Sequence, residues 1–412
     1  MSEWRSYTLE ELAAPTKSAL ATGPFGSAIS SRYFVESGVP VIRGSNLSVE
    51  VGKRLIEDGL TFIEEAKAKE FTRSQAVSGD LVFTCWGTIG QIGFIDNKSK
   101  YERYIVSNKQ MKMTPNAAIV HPSFLYYALS TPSSISTIQN MAIGSSVPGF
   151  NLTQLKQIRV LIPSLREQAG ILEVLQALDD KIAINDRISA TIEGILSLNF
   201  AELGIDVEPD PMNAITASDV IEFNPKLKVS QSANAVYLDM AALSTSMARV
   251  SGWTRREPKS GARFSNNDTV MARITPCLEN GKTAFVDFLA DGDVGIGSTE
   301  FIVMRARPGY PAHASYFLAR SPRFRENAIR NMVGSSGRQR VAAAALHDFP
   351  LTRPNQEELA SFGEASAAAF LLLRSLGAEC MNLAALRDVL LPKLMMGEIR
   401  VRDAEKTVED AL

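Results

Sequence analysis

The sequence has few of the residues that metal centres, disulfides and catalytic clusters require. Its 412 residues include only three cysteines and three histidines. These are Cys85, Cys277, Cys380, His121, His313 and His347. The cysteines are far apart and odd in number, so neither a disulfide framework nor a metal-ligand spacing is indicated. No histidine has a Cys, Asp or Glu at ligand spacing or a nucleophile as its partner. We therefore expect no metal and no catalytic residues in this chain.

Long apolar runs, a leader sequence and a large net charge are also absent. The longest apolar runs fall well short of the ~20 residues that a membrane span needs. The N-terminus does not begin with a basic and then apolar leader. With so few cysteines, these features predict a cytoplasmic protein. The formal net charge is only -2, so the chain as a whole has no basic character that would indicate nucleic acid.

The charge is nevertheless unevenly distributed along the chain. Residues 301–345 contain eight arginines and one acid, a local net charge of +7. Residues 201–224 contain six acids and no base, a local net charge of -6. A basic block beside an acidic linker favours a surface that faces DNA. The alternative is an arginine-rich face that is merely solvated.

The sequence repeats itself with an offset near 190 residues. The segment 126–132, Tyr-Tyr-Ala-Leu-Ser-Thr-Pro, aligns with 316–322, Tyr-Phe-Leu-Ala-Arg-Ser-Pro, and Gly-Ser-Ser at 144–146 aligns with Gly-Ser-Ser at 334–336. Upstream of these, the segment that contains Asp80 aligns with the one that contains Asp268. Because the features keep their order, each repeat is predicted to be a domain of its own.

Each repeat has a mixed first part and a helical second part. Short β-branched runs lie between Gly, Ser and Asn turns, and a helix is expected around 123–140. Apolar residues at steps of three and four then predict a long helix in each repeat. The first stripe contains Ile171, Leu175, Leu178, Ile182, Asn185, Ile188, Ile192 and Ile195, and the second Leu373, Leu376, Cys380, Leu383, Arg387, Leu390 and Leu394. Each stripe alone could belong to an ordinary amphipathic helix that packs on its own domain.

The two stripes at matching positions favour an antiparallel pair of helices. We expect pairing through Ile171, Leu175, Leu178, Ile182 and Asn185 of the first helix, and through Leu373, Leu376, Leu383, Arg387 and Leu390 of the second. Asn185 and Arg387 interrupt the apolar stripes and could fix the register. On this hypothesis, Asn185→Leu leaves the register less well defined.

These features predict an α+β fold with an internal pseudo-twofold repeat. Two mixed α/β domains are separated by two long helices packed as an antiparallel coiled coil. The predicted boundaries are a first domain at 1–160, a central helix at 161–200, a second domain at 201–352, a distal helix at 353–400 and a flexible tail at 401–412.

Several motifs along the chain resemble the specificity subunits of type I restriction–modification enzymes. The resemblance is carried by Gly-Pro-Phe-Gly-Ser at 23–27, by Val-Pro-Val-Ile-Arg-Gly-Ser-Asn-Leu at 39–47 and by the segments 79–90 and 272–283. Ile-Pro-Ser-Leu-Arg-Glu-Gln at 162–168, Leu-Asp-Asp-Lys-Ile at 178–182 and Leu-Leu-Pro-Lys-Leu-Met-Met-Gly-Glu-Ile-Arg at 390–400 resemble the helical regions of that family. The second helical copy is richer in alanine and lacks the Leu-Asp-Asp-Lys pattern, which predicts less symmetric docking of partners.

The resemblance implies a DNA-reading subunit that is not itself a catalyst. Two target-recognition domains would each read half of a split site in double-stranded DNA. Two methyltransferase subunits and motor–nuclease subunits would dock on the chain and hold S-adenosylmethionine, ATP and Mg²⁺, which this chain would not bind. The Asn-Gly-Lys-Thr at 280–283 has Pro276 where a phosphate-binding loop needs glycine, so no nucleotide site is expected.

Candidate DNA contacts lie in Gly-rich and polar loops, where backbone amides, hydroxyls and cations can reach phosphates or groove edges. In the first domain they are Arg43, Ser45, Asn46, Trp86, Gly87, Thr88, Ser107, Asn108, Lys109, Ser145 and Ser146. In the second domain they are Arg273, Thr275, Asn280, Lys282, Ser298, Thr299, Ser335, Ser336, Arg338, Gln339 and Arg340. Arg338-Gln339-Arg340 is the sharpest signal, because Arg can pair with guanine and Gln with adenine. Any one of them could instead be an ordinary turn or surface residue.

A second function also fits the long helices. The chain could be a two-headed, non-enzymatic adaptor whose helices assemble protein partners and whose flanking domains bind peptides or RNA. The basic block and the duplicated Gly-Ser-Ser loops favour nucleic acid over this alternative.

Overall fold

A computed structural model describes residues 4–26, 28–144, 149–229, 234–335 and 337–410. It divides into two compact units, the first comprising residues 1–181 and 382–412 and the second residues 182–381. The division crosses both long helices, so each unit combines one mixed half of the chain with a segment of each helix. The predicted domain boundaries instead separated the helices from the mixed domains.

The first unit contains eleven short strands within the described ranges. They are β1 (Arg5–Thr8), β2 (Leu20–Thr22), β3 (Phe34–Val35), β4 (Val39–Ile42), β5 (Thr61–Ile63), β6 (Gln75–Val77), β7 (Leu81–Thr84), β8 (Ile92–Phe94), β9 (Arg103–Val106), β10 (Gln110–Met113) and β11 (Arg159–Ile162). The order β2-β10-β7-β8 forms an antiparallel sheet, and β3-β5-β4-β9-β6 forms a second sheet in which β4 and β9 are parallel. β1 pairs with β11. Strands β4 and β7 are buried on both faces, which explains their nearly continuous apolar sequences.

The helices of the mixed part of this unit are short. They are α1 (Leu9–Leu12), α2 (Glu65–Ala68), α3 (Pro122–Leu129), α4 (Pro132–Asn140) and α5 (Leu152–Gln157). The single helix expected around 123–140 is therefore two helices. Pro132 disfavours helical geometry in Thr131, which instead caps α4 by accepting a hydrogen bond from the Ser134 amide.

The second unit has the same kind of sheets. Its strands are β12 (Ala214–Thr216), β13 (Ile221–Phe223), β14 (Ala235–Leu238), β15 (Thr254–Arg256), β16 (Ala262–Phe264), β17 (Asp268–Ala272), β18 (Thr283–Phe285), β19 (Gly295–Gly297), β20 (Phe301–Ala306) and β21 (Pro350–Thr352). Its short helices are α7 (Ala217–Val220), α8 (Ala314–Arg320) and α9 (Pro322–Arg330). The antiparallel order β13-β20-β17-β18 matches β2-β10-β7-β8, and β15-β14-β19-β16 again contains one parallel pair.

A buried aspartate marks the same position in both repeats. Asp80 precedes β7 and accepts a hydrogen bond from the Val77 amide (3.0 Å), and Asp268 begins β17 and accepts one from the Ser265 amide (2.8 Å). Each carboxylate also pairs with a cation, Lys112 at 3.1 Å and Arg305 at 2.7 Å. A fully buried charge is stable only when it is paired and hydrogen-bonded. Asp80 and Asp268 are both fully buried, and both are stabilised by a cation and a backbone amide. The predicted α+β class and internal repeat are confirmed.

Two long helices, α6 (Leu165–Glu202) and α10 (Gln356–Met395), pack against each other. In the second unit, the Cys380 thiol lies 3.9 Å from the Ile182 carbonyl oxygen, and the rings of Phe200 and Phe362 are 5.6 Å apart. Since the contacts run forward along α6 and backward along α10, the pair is antiparallel, as predicted. In the first unit, Arg387 of α10 pairs with Asp179 of α6 at 2.8 Å.

The predicted helix-pairing residues are mostly buried. Ile171, Leu175, Leu178, Asn185, Leu373, Leu383, Arg387 and Leu390 are buried, and Ile182 and Leu376 are half-buried. The continuation of the first stripe was wrong, because Ile188 and Ile195 are exposed while Ser189, Glu193 and Leu196 are buried. The buried face turns there because α6 also packs on the mixed part of the second unit, where Glu193 accepts hydrogen bonds from the Ala248 amide and the Tyr316 hydroxyl.

Helix α10 is also long and apolar enough to cross a membrane by length and composition. The amino-acid sequence had predicted no apolar run of that length. A core helix of a soluble protein passes the same test, and α10 packs on α6 and carries Arg387 in a buried ion pair. Length and composition are therefore weak grounds for assigning a membrane span here.

The segment after α10 is helical rather than the flexible tail that was predicted at 401–412. Helix α11 (Val401–Glu409) buries Ala404 and Val408. Val401 packs on Gly170 of α6. A Cβ atom added to Gly170 would lie 3.4 Å from Cγ1 of Val401. The apolar spacing of Val401, Ala404 and Val408 is that of a short amphipathic helix, and this spacing was the signal in the sequence that predicts it.

Candidate nucleic-acid interface

Three loops meet at one edge of the β2-β10-β7-β8 sheet in the first unit. The Cys85 amide, just after β7, donates to the Lys109 carbonyl (2.8 Å), and the Phe150 amide donates to the Cys85 carbonyl (2.9 Å). The Ser107 amide donates to the Ile42 carbonyl (3.0 Å), which brings the loop after β4 alongside. The predicted groups at 43–46, 86–88 and 107–109 are thus neighbours. Ser145 and Ser146 lie outside the described residues.

Most of the candidate DNA contacts in this cluster are exposed to solvent, and Trp86 has the largest side chain among them. Its side chain is 51% exposed and lies against Gly149, where a Cβ would be 2.9 Å from the indole ring. Gly149 therefore has to remain a glycine for the ring to keep this place. Ser45, Gly87, Thr88, Asn108 and Lys109 are exposed, and Arg43 is half-buried.

Asn46 is not available for contacts with DNA. It is buried, its Oδ1 accepts a hydrogen bond from the Arg43 amide (3.0 Å), and its Nδ2 donates to the Ile56 carbonyl (2.9 Å). Its polar groups stabilise the turn that presents Arg43 and Ser45. Ser107 is also used internally, since its hydroxyl donates to Oε1 of Gln110.

The second unit repeats the arrangement of loops. The Arg273 amide, just after β17, donates to the Glu300 carbonyl (3.0 Å), and the Val341 amide donates to the Arg273 carbonyl (2.9 Å). The Thr275 amide donates to the Gln339 carbonyl (3.0 Å). Arg273, Thr275, Thr299 and the segment 338–340 are therefore brought together. Ser336 lies outside the described residues.

Some of the candidate DNA contacts in the second cluster already have hydrogen-bond or ion-pair partners within the chain, and others are exposed. Arg340 forms a two-pronged ion pair with Glu300 at 2.8–2.9 Å, and this contact lowers the pKa of the Glu300 carboxyl. Lys282 donates to the Met240 carbonyl (2.8 Å), and Ser298 accepts from the Glu300 amide (3.1 Å). The remaining candidates with exposed side chains or backbone are Asn280, Thr299, Ser335 and Arg338. Gln339 is half-buried.

The arginine block at 301–345 does not form one DNA-facing surface. Arg323 pairs with Glu208 (3.0 Å) of the acidic linker, and Arg305 with the buried Asp268. Arg307, Arg320 and Arg325 donate to backbone carbonyls, and Arg330 pairs with Glu326. Within the described ranges, Arg338 is the one arginine of the block without an ion pair or side-chain hydrogen bond. The local net charge of residues 301–345 was a poor guide to the DNA-facing surface, because most of these arginines form ion pairs or donate hydrogen bonds to nearby groups.

An exposed aliphatic residue occupies the same position in each cluster and was missed from the sequence. Ile143 is 71% exposed and bridges to Gly149, and Val333 is 72% exposed and bridges to Arg340. Trp86 also forms a β-bridge with Gly149, and Ile274 forms one with Arg340. Ile143 and Val333 directly precede the Gly-Ser-Ser segments, and this repeated placement was the available signal.

The described residues contain no group of three or more His, Cys, Asp or Glu that could hold a metal ion. His313 is enclosed by Phe285 and Phe370, with ring centroids 4.7 and 4.2 Å away. Burial lowers the pKa of His313 from 6.5 to about 4, so it is neutral near pH 7. It is a half-buried residue that packs against the aromatic core of the second unit.

Part of this chain is similar to proteins of known family. Residues 1–194 match the family model of the type I restriction modification DNA specificity domain. The specificity subunit of the type I restriction enzyme EcoAI from Escherichia coli is 32% identical over 160 residues, which cover 36% of this chain and 26% of that protein. The MjaIX specificity subunit from Methanocaldococcus jannaschii is 23% identical over 372 residues, which cover 84% of each protein.

A solved structure shares the fold over nearly the whole chain. The S subunit of a type I restriction–modification system from M. genitalium has a TM-score of 0.53 and 12% identity, and the alignment covers 95% of this chain and 96% of that one. At this identity the likeness concerns the fold alone. The match to the E. coli EcoAI subunit covers only about a quarter of that protein. Residues 1–194 are thus similar to the type I restriction modification DNA specificity domain, and the relatives that match this chain are themselves specificity subunits of type I restriction enzymes.

Proposed function

We propose that this chain reads a split DNA target, with one loop cluster for each half. The observation that carries the proposal is the duplication of the cluster. In both units, the loop after the central strand is hydrogen-bonded to the loop before its neighbour and to the segment after a Gly-Ser-Ser sequence. Two similar binding edges in one chain suit a target made of two short elements separated by unread bases.

The chemistry within each cluster suits DNA. Exposed hydroxyls and amides at Ser45, Thr88, Asn108 and Thr299 can donate to phosphates or base edges. Lys109 and Arg338 add exposed cations, and Trp86, Ile143 and Val333 offer apolar surface for the methyl group of thymine. Contacts with the backbone would position each unit, and contacts with base edges would select the sequence.

We also propose that catalysis belongs to partner subunits. Methyltransferase subunits would bind S-adenosylmethionine, and motor–nuclease subunits would use ATP and Mg²⁺. In the second unit, Ile184, Ile188, Ile195 and Leu198 form an exposed apolar stripe on α6. A stripe of this kind on a long helix is suited to docking a partner. The alanine-rich α10 would contribute differently, so the two docking events need not be equivalent.

The test is to map DNA methylation in cells that express the chain with a type I methyltransferase subunit from the same host. We expect methylated adenines within one motif, made of two short defined elements around a fixed number of unspecified bases. A stable complex that methylates a single continuous motif would contradict two-part reading. If neither a complex nor a motif is obtained, the adaptor function becomes the better account.

A further inference from the structure

An open cavity of about 640 Å³ in the second unit borders the candidate loops. Two of the predicted DNA contacts, Arg273 and Thr299, line it. The rest of its wall comes from residues 224–228, residues 261–263 and strand β20. Four cations, Lys226, Lys228, Arg263 and Arg273, are among the lining residues, and no carboxylate is. The cavity is therefore a concentrated site of positive charge.

Within the described ranges the cations of this cavity form no ion pair, in contrast to Arg305, Arg323, Arg330 and Arg340 of the arginine block. Within the described ranges, Lys226 and Lys228 are exposed and take part in no ion pair. Arg263 donates to the Leu227 carbonyl at 2.7 Å, which holds its guanidinium beside the two lysines. Nε of Arg273 is buried and has no hydrogen-bond partner. The nearby Glu300 carboxylate is already paired with Arg340.

Such a cavity suits an anion with several charged oxygens. DNA places one phosphate per ~3.4 Å of each strand, so a run of backbone can meet several cations at once. The cavity also shares Arg273 and Thr299 with the loop cluster that would face the bases. We infer that Lys226, Lys228 and Arg263 bind the DNA backbone beside the half-site that the second unit reads. This inference rests on the proposed function.

Among the described residues of the first unit, the segment that corresponds to 224–228 contains no cation. There, the segment after β2 is Gly-Pro-Phe-Gly at 23–26, whereas the segment after β13 is Asn-Pro-Lys-Leu-Lys at 224–228. The matching β2 and β13 are both outer strands of their four-stranded sheets. The second unit thus has two lysines at a place where the described residues of the first unit have none.

The experiment measures the salt dependence of DNA binding by the full chain in complex with its methyltransferase subunit. Wild type is compared with Lys226→Ala, Lys228→Ala and the double variant, and Lys69→Ala serves as an exposed control lysine from the first unit. Each lost phosphate contact should reduce the slope of log K against log salt by about 0.9, and the double variant by about 1.8. Affinity should fall equally on target and non-target duplexes, and the methylated motif should not change.

The outcomes separate the inference from the function on which it rests. If wild type selects a split target but the variants keep the wild-type slope, the backbone site is wrong and the proposed function stands. If the variants lose selectivity at a base position, the lysines read bases instead. If inorganic phosphate raises the melting temperature of wild type but the slopes do not differ, the cavity is a site for a free anion. If wild type itself shows no selectivity, the proposed function fails as well.

Discussion

At the scale of single residues, neighbours decide the role of a side chain more than its chemical type does. Arg338 and Arg340 lie two positions apart in one loop, yet Arg340 is held by Glu300 and Arg338 is exposed without an ion pair. Asn46 has a side chain that is suited to contacting DNA, but its amide group is hydrogen-bonded to backbone groups of its own loop. The sequence could identify the loops, but not which polar groups they use internally, because that depends on contacts between distant segments.

Arg338→Ala should weaken DNA binding without changing the melting temperature, because the exposed guanidinium has no partner to lose. If Arg338 contacts a base, the loss should be about 1–3 kcal/mol and confined to one position of the target. If it contacts a phosphate, affinity should fall on every sequence. Binding to a set of single-base variants of the target distinguishes the two. Arg330→Ala is the matched control. If Arg338→Ala binds DNA as tightly as Arg330→Ala does, Arg338 does not belong to the interface.

His313 should make the stability of the second unit depend on pH. Its pKa is depressed to about 4 in the folded state, so its stabilising contribution is complete above pH 6.5. As pH falls from 6.5 to about 4, the unfolded chain gains a proton that the folded unit excludes. We expect His313 to cost about 3 kcal/mol over this window. Urea denaturation of wild type and His313→Phe at several pH values should diverge accordingly. Parallel curves for wild type and His313→Phe would refute this role.

At the scale of elements, the helix pair was predictable and its details were not. The spacing of apolar residues predicted both long helices and most of their buried positions, because that periodicity is local. It failed at Ile188 and Ile195, where α6 also packs on the mixed part of the second unit. It could not show that Asp179 accepts hydrogen bonds from Arg387 (2.8 Å) and the Tyr127 hydroxyl. That network lies between segments far apart in sequence.

Removing one member of this network should be costly. Arg387→Met leaves the buried Asp179 carboxylate without its α10 partner, although Arg54 at 3.6 Å and Tyr127 remain. We expect a loss of about 3 kcal/mol in the free energy of unfolding, measured by urea denaturation. Asp388→Ala, which removes an exposed carboxylate beside the same arginine, should cost less than ~1 kcal/mol. Equal effects of the two substitutions would show that the buried pair has no special importance.

At the scale of the whole molecule, the two repeats are alike in their sheets but differ in how the helices join them. In the first unit, Arg54, Tyr127, Asp179 and Arg387 form a buried polar network, and burial, then the Asp179 charge, raise the pKa of Tyr127. In the second unit, the buried Glu193 carboxylate of α6 accepts hydrogen bonds from the Ala248 amide and the Tyr316 hydroxyl, and α10 contributes aromatic rings, with Phe370 against Phe285 at 5.0 Å and Phe362 against Phe317 at 5.7 Å. The alanine-rich second helix had predicted less symmetric docking of partners, which is a different property, and this difference in packing within the chain was not predicted.

The most direct test of two-part reading is methylation mapping with one variant in each cluster. Thr88→Ala changes the first unit and Arg338→Ala the second, and both side chains are exposed. We predict that wild type methylates a split motif, and that each variant relaxes or weakens recognition in one half only, with different halves for the two variants. A change in both halves from one substitution, or the same half affected by both, would contradict the assignment of one loop cluster to each half of the target.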